Sequence, residues 1–128
     1  MLDDLYFTNN WFGHNAEKIW NQLLPQIKPT KILEIGSYEG RSTCYLIEKN
    51  NWAEECEIHC IDNWEGGFEE KKINDLQDKL IEERFDYNTK LTIDKVSSTI
   101  NLVKHKGFSD HKLSWLLSNG YANYFDFV

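Results

Sequence analysis

The chain has little proline and no long apolar run, and these shortages exclude several classes of protein. Only 2 of its 128 residues are proline and 7 are glycine, which argues against a disordered, collagen-like or linker-rich chain. No apolar stretch approaches the roughly 18 residues that a membrane-spanning helix needs. The first residues include Asp3 and Asp4 in place of the basic start of a secretory signal. We therefore expect a cytoplasmic protein that does not engage a membrane.

Basic residues are also in short supply. The chain has 14 Lys and Arg against 21 Asp and Glu, which gives a net charge of -7. Proteins that bind the nucleic-acid backbone depend on clustered Lys and Arg to displace counterions. The charge balance therefore argues against a nucleic-acid partner.

Cysteine is scarce, with 3 residues, an odd number in a chain without a secretory signal, so reduced thiols are expected. Cys56, His59 and Cys60 lie close together in the sequence, as zinc ligands often do. Strand alternation would send His59 and Cys60 to opposite faces of a sheet. We therefore expect buried structural cysteines and no metal site here.

What the chain does contain is a pattern of short apolar runs separated by helix-like segments. Such alternation is typical of an α/β protein with a parallel sheet, helices on both faces and a binding crevice at the carboxyl ends of the strands. Pro25 and Pro29 are expected to close the first helix, and Thr89–Ser98 to be irregular. We predict strands at Lys31–Ile35, Glu57–Ile61, Asn101–Lys106 and Tyr124–Val128, and helices at Asn15–Leu24, Arg41–Lys49, Phe68–Phe85 and Asp110–Gly120.

A glycine-bearing loop follows the first predicted strand. Its sequence, Gly36 to Thr43, leads into a helix, and free N–H groups at a helix start favour an anionic ligand group. Tyr38 and Arg41 stand where a dinucleotide fingerprint has its second and third glycines. Their bulk disfavours a dinucleotide and leaves room for a single carboxylate. The alternative is an ordinary turn that uses Gly36 for a positive φ.

Asp62 ends the second predicted strand, 62 − 36 = 26 residues after Gly36. An acidic residue at this place can accept both ribose hydroxyls of a nucleoside. Alone, it would be equally well explained as the cap of a turn before Asn63. Together, the loop and Asp62 predict a nucleoside-containing ligand, because neighbouring strands of a parallel sheet end on one crevice.

The segments LEIGSYEGRST, HCIDNWEGG, KGFSD and YFDFV, in this order, resemble those of the class I S-adenosylmethionine-dependent methyltransferases. The likeness is closest to the catechol O-methyltransferase-like branch and to bacterial small-molecule methyltransferases. It covers Lys31–Val128 and implies a Rossmann-like sheet with strand order 3-2-1-4. Residues 1–30 would then form an N-terminal helical segment, and residues 31–128 the N-terminal part of the cofactor-binding domain.

The resemblance implies how the methionine end of the cofactor is bound. Glu34 would face its ammonium group, Ser42 would bind its carboxylate, and Gly36 and Tyr38 would pack along it. Gly40 would keep the start of the following helix close to the cofactor. The implied cofactor-binding residues are Glu34, Gly36, Ser37, Tyr38, Gly40, Ser42, Asp62, Asn63, Trp64, Phe108 and Ser109.

The nucleoside end is implied in the same way. Asp62 would take the ribose hydroxyls, and Asn63 and Trp64 would flank the adenine. Phe108 and Ser109 would border the adenine edge.

The resemblance implies methyl transfer to a small-molecule acceptor, in the first place to oxygen. The acidic ligands of the metal-dependent members would follow Val128, and the sequence offers no catalytic base. We expect either a fragment that ends after its fourth strand or a chain that pairs that apolar edge with another chain. The alternatives are a non-catalytic module that binds S-adenosylmethionine or another nucleoside, or a nucleotide-utilising enzyme on a similar half-sheet.

Two further groups of residues have open assignments. Trp11, Phe12 and His14 could cover the crevice as a lid, or they could fasten the first helix to the sheet. His105 and His111 flank the turn at Gly107. Neither has an evident partner in the sequence, so both are expected at the surface.

Overall fold

The computed structural model describes residues 5–8, 10–65 and 75–128, except for the side chains of residues 14, 15 and 75–79. Within these ranges it alternates helices and strands. The helices are α1 (Trp11–Asn15), α2 (Glu17–Ile27), α3 (Arg41–Lys49), α4 (Asp75–Lys95) and α5 (Ser109–Ser118), and the strands are β1 (Lys31–Ile35), β2 (Glu55–Asp62) and β3 (Thr99–Lys106).

The three strands form one parallel sheet in the order β1-β2-β3. In its register Ile32 lies opposite Ile58, which in turn lies opposite Leu102. The prediction of an α/β chain with a parallel sheet flanked by helices is confirmed. Two strands begin earlier than their apolar runs suggested, because main-chain pairing extends to Glu55 and Thr99.

The segment predicted as a fourth strand, Tyr124–Val128, contributes a single bridge among the described residues. Phe127 pairs with Ile32 in the parallel sense. The Leu33 N–H donates to the Phe127 carbonyl at 2.9 Å, and the Asp126 N–H donates to the Lys31 carbonyl at 2.9 Å. The segment therefore runs along the edge of β1 that faces away from β2, while the sheet itself has three strands. Association with another chain through this edge stays a prediction.

Helices cover both faces of the sheet. Side chains of β2 alternate between them, so that Ile58 and Cys60 face α2, α3 and α4, whereas Ile61 faces α5. The smaller cluster, on the α5 face, joins Leu33 and Ile61 to Leu116. The larger cluster, on the other face, contains Leu24, Ile32, Tyr45, Leu46, Ile47, Cys56, Ile58, Cys60, Trp64, Ile81 and Phe85.

The first helix of the predicted set does not end at its proline. Pro25 lies inside α2, which continues to Ile27 and ends at Lys28 in the left-handed conformation. A proline this close to a helix end removes one hydrogen bond, and only two residues follow it in the helix. The Lys28 N–H closes the final turn by donating to the Leu24 carbonyl at 2.8 Å.

The prediction that Thr89–Ser98 is irregular was wrong for most of that segment, because α4 runs to Lys95. Thr89 and Thr92 are buried, and their hydroxyls donate to the carbonyls of Phe85 and Asn88, each at 2.8 Å. Packing against α3 thus overrides the weak helix propensity of threonine. The predicted start of this helix, at Phe68, lies outside the described residues.

Within the described ranges, no helix combines the length and apolar character that a bilayer span requires.

Two glycines of the loop between β1 and α3 offer a matched stability test. Gly36 and Gly40 have φ values of 82° and 84°. A Cβ at Gly40 would lie 3.1 Å from Phe85 and 3.3 Å from Thr89, whereas one at Gly36 would meet nothing within 4 Å. Gly36→Ala should lower the free energy of unfolding by about 1–2 kcal/mol from backbone strain alone. Gly40→Ala should lose about 1–3 kcal/mol more through the clash with α4. Urea denaturation that finds equal losses would contradict this packing.

Candidate functional site

The loops that follow the three strands meet at the carboxyl edge of the sheet, and Asp62 joins them. One of its carboxylate oxygens accepts the N–H of Tyr38 and the other accepts the N–H of Trp64, each at 2.8 Å. Its main-chain carbonyl accepts the N–H of Gly107 at 2.9 Å. The structure thus brings together the three loops in which the sequence placed the candidate site.

The loop after β1 turns sharply through three left-handed residues, Gly36, Tyr38 and Gly40. A tyrosine with φ near 50° is unfavourable without support. Both of its peptide groups are held, since the Tyr38 N–H is bound by Asp62 and the Tyr38 carbonyl accepts the Trp64 indole N–H at 2.9 Å. Open space beside Gly36 leaves the main chain there accessible to a ligand.

Glu34, at the end of β1, is a buried carboxylate, with 8% of its surface exposed. Ser42 donates a hydrogen bond to one of its oxygens at 2.6 Å, and Thr43 donates to the other at 2.5 Å. Burial raises the pKa of Glu34, and hydrogen bonding from Ser42, Thr43 and Ser37 opposes that rise. Among the described residues, no Lys, Arg or His forms an ion pair with it. The site therefore contains a desolvated acid without a matching cation.

Two serines near Glu34, Ser42 and Ser37, differ in whether their hydroxyl groups are free to bind a ligand. The hydroxyl proton of Ser42, which was expected to bind the cofactor carboxylate, is donated to Glu34. The Ser37 hydroxyl is buried and makes no hydrogen bond of ordinary geometry among the described residues, although it lies near enough to Glu34 to lower the pKa of that carboxyl. Since buried polar groups are seldom left unpaired, Ser37 is the hydroxyl that a bound group could satisfy.

Trp64 does not occupy the position expected of a residue beside an adenine. Its side chain is 1% exposed, and its ring packs against Phe85 with 5.0 Å between centroids. The Lys104 ammonium lies 4.8 Å from the ring centre. Trp64 therefore supports the Tyr38 turn from within the core, where a ligand does not reach it. The turn after β2, in which Trp64 lies, is capped by two side chains. Asp62 accepts the Trp64 N–H, and the side-chain oxygen of Asn63 accepts the Glu65 N–H at 3.0 Å.

The third loop places Phe108 and Ser109 at the outer border of the crevice. Phe108 is 59% exposed and immediately precedes α5, and Ser109 begins that helix. Gly107, which precedes them, is held at Asp62. Their expected contact with the adenine edge stays a prediction.

The N-terminal segment contacts both the core and the loop after β1, and its role as a lid stays a prediction. Phe12 is an anchor, because its ring lies 4.8 Å from that of Trp20 and 5.0 Å from that of Tyr45. Trp11 is 55% exposed and lies over the loop, with its ring 5.3 Å from the Tyr38 ring. The side chain of His14 lies outside the described residues.

Glu39 fastens this segment to the loop, a role that the sequence did not suggest. Its buried carboxylate accepts the Thr8 N–H at 2.8 Å, the Thr8 hydroxyl at 2.9 Å and the Arg84 guanidinium at 3.0 Å. Its main-chain carbonyl accepts the Asn88 amide at 2.9 Å. The loop after β1 is therefore held by two parts of the chain, by Asp62 at the end of β2 and by Thr8 of the N-terminal segment.

The expectation that His105 has no partner was wrong. Its Nε2 lies 2.8 Å from Nδ1 of His59, and Nε2 of His59 lies 2.6 Å from a carboxylate oxygen of Glu57. The sequence alone could not predict this contact, because it depends on the register between two neighbouring strands. His111 does lie at the surface, with 78% of its side chain exposed.

The cysteines and the histidine near them do not assemble a metal site. His59 packs against aromatic rings on the α5 face, whereas Cys60 belongs to the core on the opposite face. All three thiols are free and buried, and burial raises the pKa of Cys44 to about 12 and that of Cys56 to about 11. Within the described residues, no group of three His, Cys, Asp or Glu side chains could hold a metal ion.

An open groove of about 910 Å³ lies at the other edge of the sheet, where β2 and β3 begin. Side-chain polar atoms of Asn50 and Ser98 in its wall are buried without partners. An ordered water could satisfy such atoms, and the groove contains none of the residues that the sequence singled out. The carboxyl edge therefore remains the candidate functional site.

Comparisons with known proteins do not identify the chain: no protein-family model matches it, and no curated protein matches it significantly. The case for a function consequently depends on the chemistry of the carboxyl edge.

The burial of Glu34 predicts a characteristic dependence of stability on pH. The raised pKa means that folded protein retains a proton which the unfolded chain releases above its ordinary value of 4.5. This contribution to stability is complete below pH 4.5 and is lost as the pH rises through the folded value. Glu34→Gln should therefore be more stable than the wild type at pH 7, and the two should converge toward pH 4. Urea denaturation across this range checks the sign, and a less stable glutamine variant at pH 7 would contradict it.

Proposed function

We propose that the chain is an S-adenosylmethionine-dependent methyltransferase that acts on a small-molecule acceptor, in the first place on an oxygen. The observation that carries the proposal is the buried Glu34 carboxylate without a cation, beside a loop whose sequence resembles that of class I methyltransferases. A ligand with an ammonium group would supply the missing charge. The methionine end of S-adenosylmethionine carries such a group next to a carboxylate.

Several features of the loops suit the rest of this ligand. The main chain at Gly36 borders open space, so a ligand can approach it closely. The Ser37 hydroxyl, which makes no hydrogen bond of ordinary geometry among the described residues, could donate to the ligand carboxylate. Each Asp62 oxygen accepts one N–H in the structure, and a carboxylate oxygen has capacity for a second donor such as a ribose hydroxyl. Trp64 is the expected residue that does not suit the ligand, because its ring is enclosed.

The residues of this chain would bind and orient the reactants. When bound, S-adenosylmethionine supplies a methyl group on a sulfonium, which an acceptor atom can attack in line. Glu34 would hold the ammonium, and Asp62 would hold the ribose while keeping the three loops together. Trp11, fixed on Tyr38 through ring contact, would limit water at the loop. Such positioning lowers the barrier by fixing the reacting groups relative to one another.

The proposal includes the finer fold assignment, a Rossmann-like sheet in the order 3-2-1-4. The bridge between Ile32 and Phe127 supports it, because it lies on the edge of β1 where the fourth strand of this order belongs. A dinucleotide ligand is less well supported. Tyr38 and Arg41 occupy positions where such a ligand needs glycine.

Calorimetric titration tests the cofactor assignment with a matched pair of variants. Wild-type protein should bind S-adenosylmethionine and show no comparable affinity for NAD. Glu34→Gln should weaken the binding about 10-fold or more, since hydrogen bonds to charged groups contribute about 1.5–3 kcal/mol. Glu83→Gln, at an exposed position on α4, is the control and should leave the affinity unchanged.

Two outcomes of this titration would contradict the proposal, and a methyl-transfer assay run beside it tests the non-catalytic alternative. Absence of S-adenosylmethionine binding, or equal binding by wild type and Glu34→Gln, would contradict the proposal. Binding that persists without methyl transfer to a panel of phenolic acceptors would favour the non-catalytic module. Asp62 variants are less informative, because Asp62 also holds the Tyr38 and Trp64 turns.

A further inference from the structure

A continuous chain of hydrogen bonds crosses the face of the sheet that α5 covers. The Tyr124 hydroxyl donates to one oxygen of Glu57 at 2.8 Å, and the other oxygen lies 2.6 Å from Nε2 of His59. Nδ1 of His59 lies 2.8 Å from Nε2 of His105. The chain thus connects β2, β3 and the C-terminal segment, here defined as Tyr121–Phe127.

The middle of this chain is enclosed by α5 and the C-terminal segment. His59 is 2% exposed, and its ring lies 5.3 Å from that of Tyr121 and 5.0 Å from that of Phe125. The His105 ring lies 5.9 Å from the Trp115 ring of α5. The C-terminal segment therefore packs against the imidazole of His59, and α5 packs against that of His105.

The geometry limits how many protons the two histidines can hold. Their rings lie within 12° of parallel and 5.0 Å apart between centroids. With 2.8 Å between the facing nitrogens, one nitrogen must carry a proton and the other must be bare. Glu57, kept ionised because hydrogen bonds from His59 and Tyr124 outweigh its burial and lower its pKa, accepts the outer proton of His59. The pair can thus take up one proton, whereas a second would place N–H against N–H.

The charges around the pair oppose that second proton. Lys112 of α5 faces His105, and Lys31 of β1 lies 4.6 Å from the centre of the Tyr124 ring. Among the described groups in contact with the pair, Glu57 is the carboxylate. Tyr121 and Tyr124 also face His59, and the hydrogen bond to Glu57 raises the pKa of Tyr124. Burial, together with His59 and Lys112, lowers the pKa of His105.

We propose that the Glu57–His59–His105 chain is a pH-sensitive latch, which holds α5 and the C-terminal segment against the sheet at neutral pH and releases them when both histidines are protonated. The inference is independent of the proposed methyl transfer. The sign follows from linkage. Opened protein binds the second proton near the ordinary histidine value of 6.5, and latched protein binds it only at lower pH, so acidification favours opening.

Hydrogen–deuterium exchange of the full chain, corrected for intrinsic rates, tests the latch. Between pH 6.5 and 5, protection of peptides within residues 109–127 should fall about tenfold per pH unit, as expected for one proton bound on opening. Peptides within α3 should show no such slope. Loss of protection everywhere at once would indicate global acid unfolding and would overturn the latch.

Two variants separate the latch from other acid effects. In His105→Gln, the amide can donate to or accept from His59 without titrating, so the slope in residues 109–127 should disappear while protection at pH 7 persists. His111→Gln, the same substitution at an exposed site on α5, should keep the wild-type slope. An unchanged slope in His105→Gln would overturn the proposal.

A measurement on wild-type protein covers the case in which His105→Gln does not fold. NMR titration of the imidazole Cε1–H signals should show His59 and His105 gaining protons in two separate steps. The second step should coincide with the loss of protection. Uptake of both protons in a single step without any change in exchange would overturn the latch equally well.

Discussion

The structure of the carboxyl edge depends on one side chain, Asp62, which accepts hydrogen bonds from two loops and whose main chain accepts a third. Without it, the left-handed Tyr38 turn would lack one of the two hydrogen bonds that offset its backbone strain. The Gly107 turn would also lose its tether to the end of β2. A carboxylate suits this position because each of the two N–H groups faces its own oxygen, whereas an asparagine would place an NH2 donor against one of them.

Near Asp62 lies the buried Glu34 carboxylate, which has no ion-pair partner among the described residues. Two hydroxyls stabilise its charge, but hydroxyls alone do not replace water or a cation in full. A protein with no use for that charge would be more stable with an apolar or amide side chain there. The unfavourable burial is understandable if a cationic ligand group completes the site, as functional sites are often stabilised only when occupied.

Local patterns in the sequence were sufficient to predict the three strands of the sheet and the meeting of their loops, but the predicted fourth strand is a single bridge among the described residues. Apolar runs that end at Gly36, Asp62 and Gly107 define strand ends regardless of how the rest of the chain packs. Features that depend on tertiary contacts could not be predicted in this way. The continuation of α4 past Thr89 requires threonine hydroxyls that are satisfied by the helix itself, within a buried contact with α3.

The orientations and contacts of individual side chains were harder to predict from the sequence than the strands. A left-handed φ at Trp64 turns its indole into the core, and no propensity of the Asp-Asn-Trp sequence announces this. The pairing of His59 with His105 depends on a register between strands that lie 46 residues apart. The first encloses a ring that was expected to flank an adenine, and the second brings two titratable side chains into contact.

The central claim, that Glu34 is kept for the ammonium of a bound ligand, is tested most directly by a double-mutant cycle. Calorimetry would compare S-adenosylhomocysteine with its analogue that lacks the amino group, in wild-type protein and in Glu34→Gln. The account predicts that the two changes are coupled by about 1.5 kcal/mol or more, so that removal of the amino group weakens binding to the wild type but hardly affects the variant. Additive losses, with no coupling between Glu34 and the amino group, would contradict it.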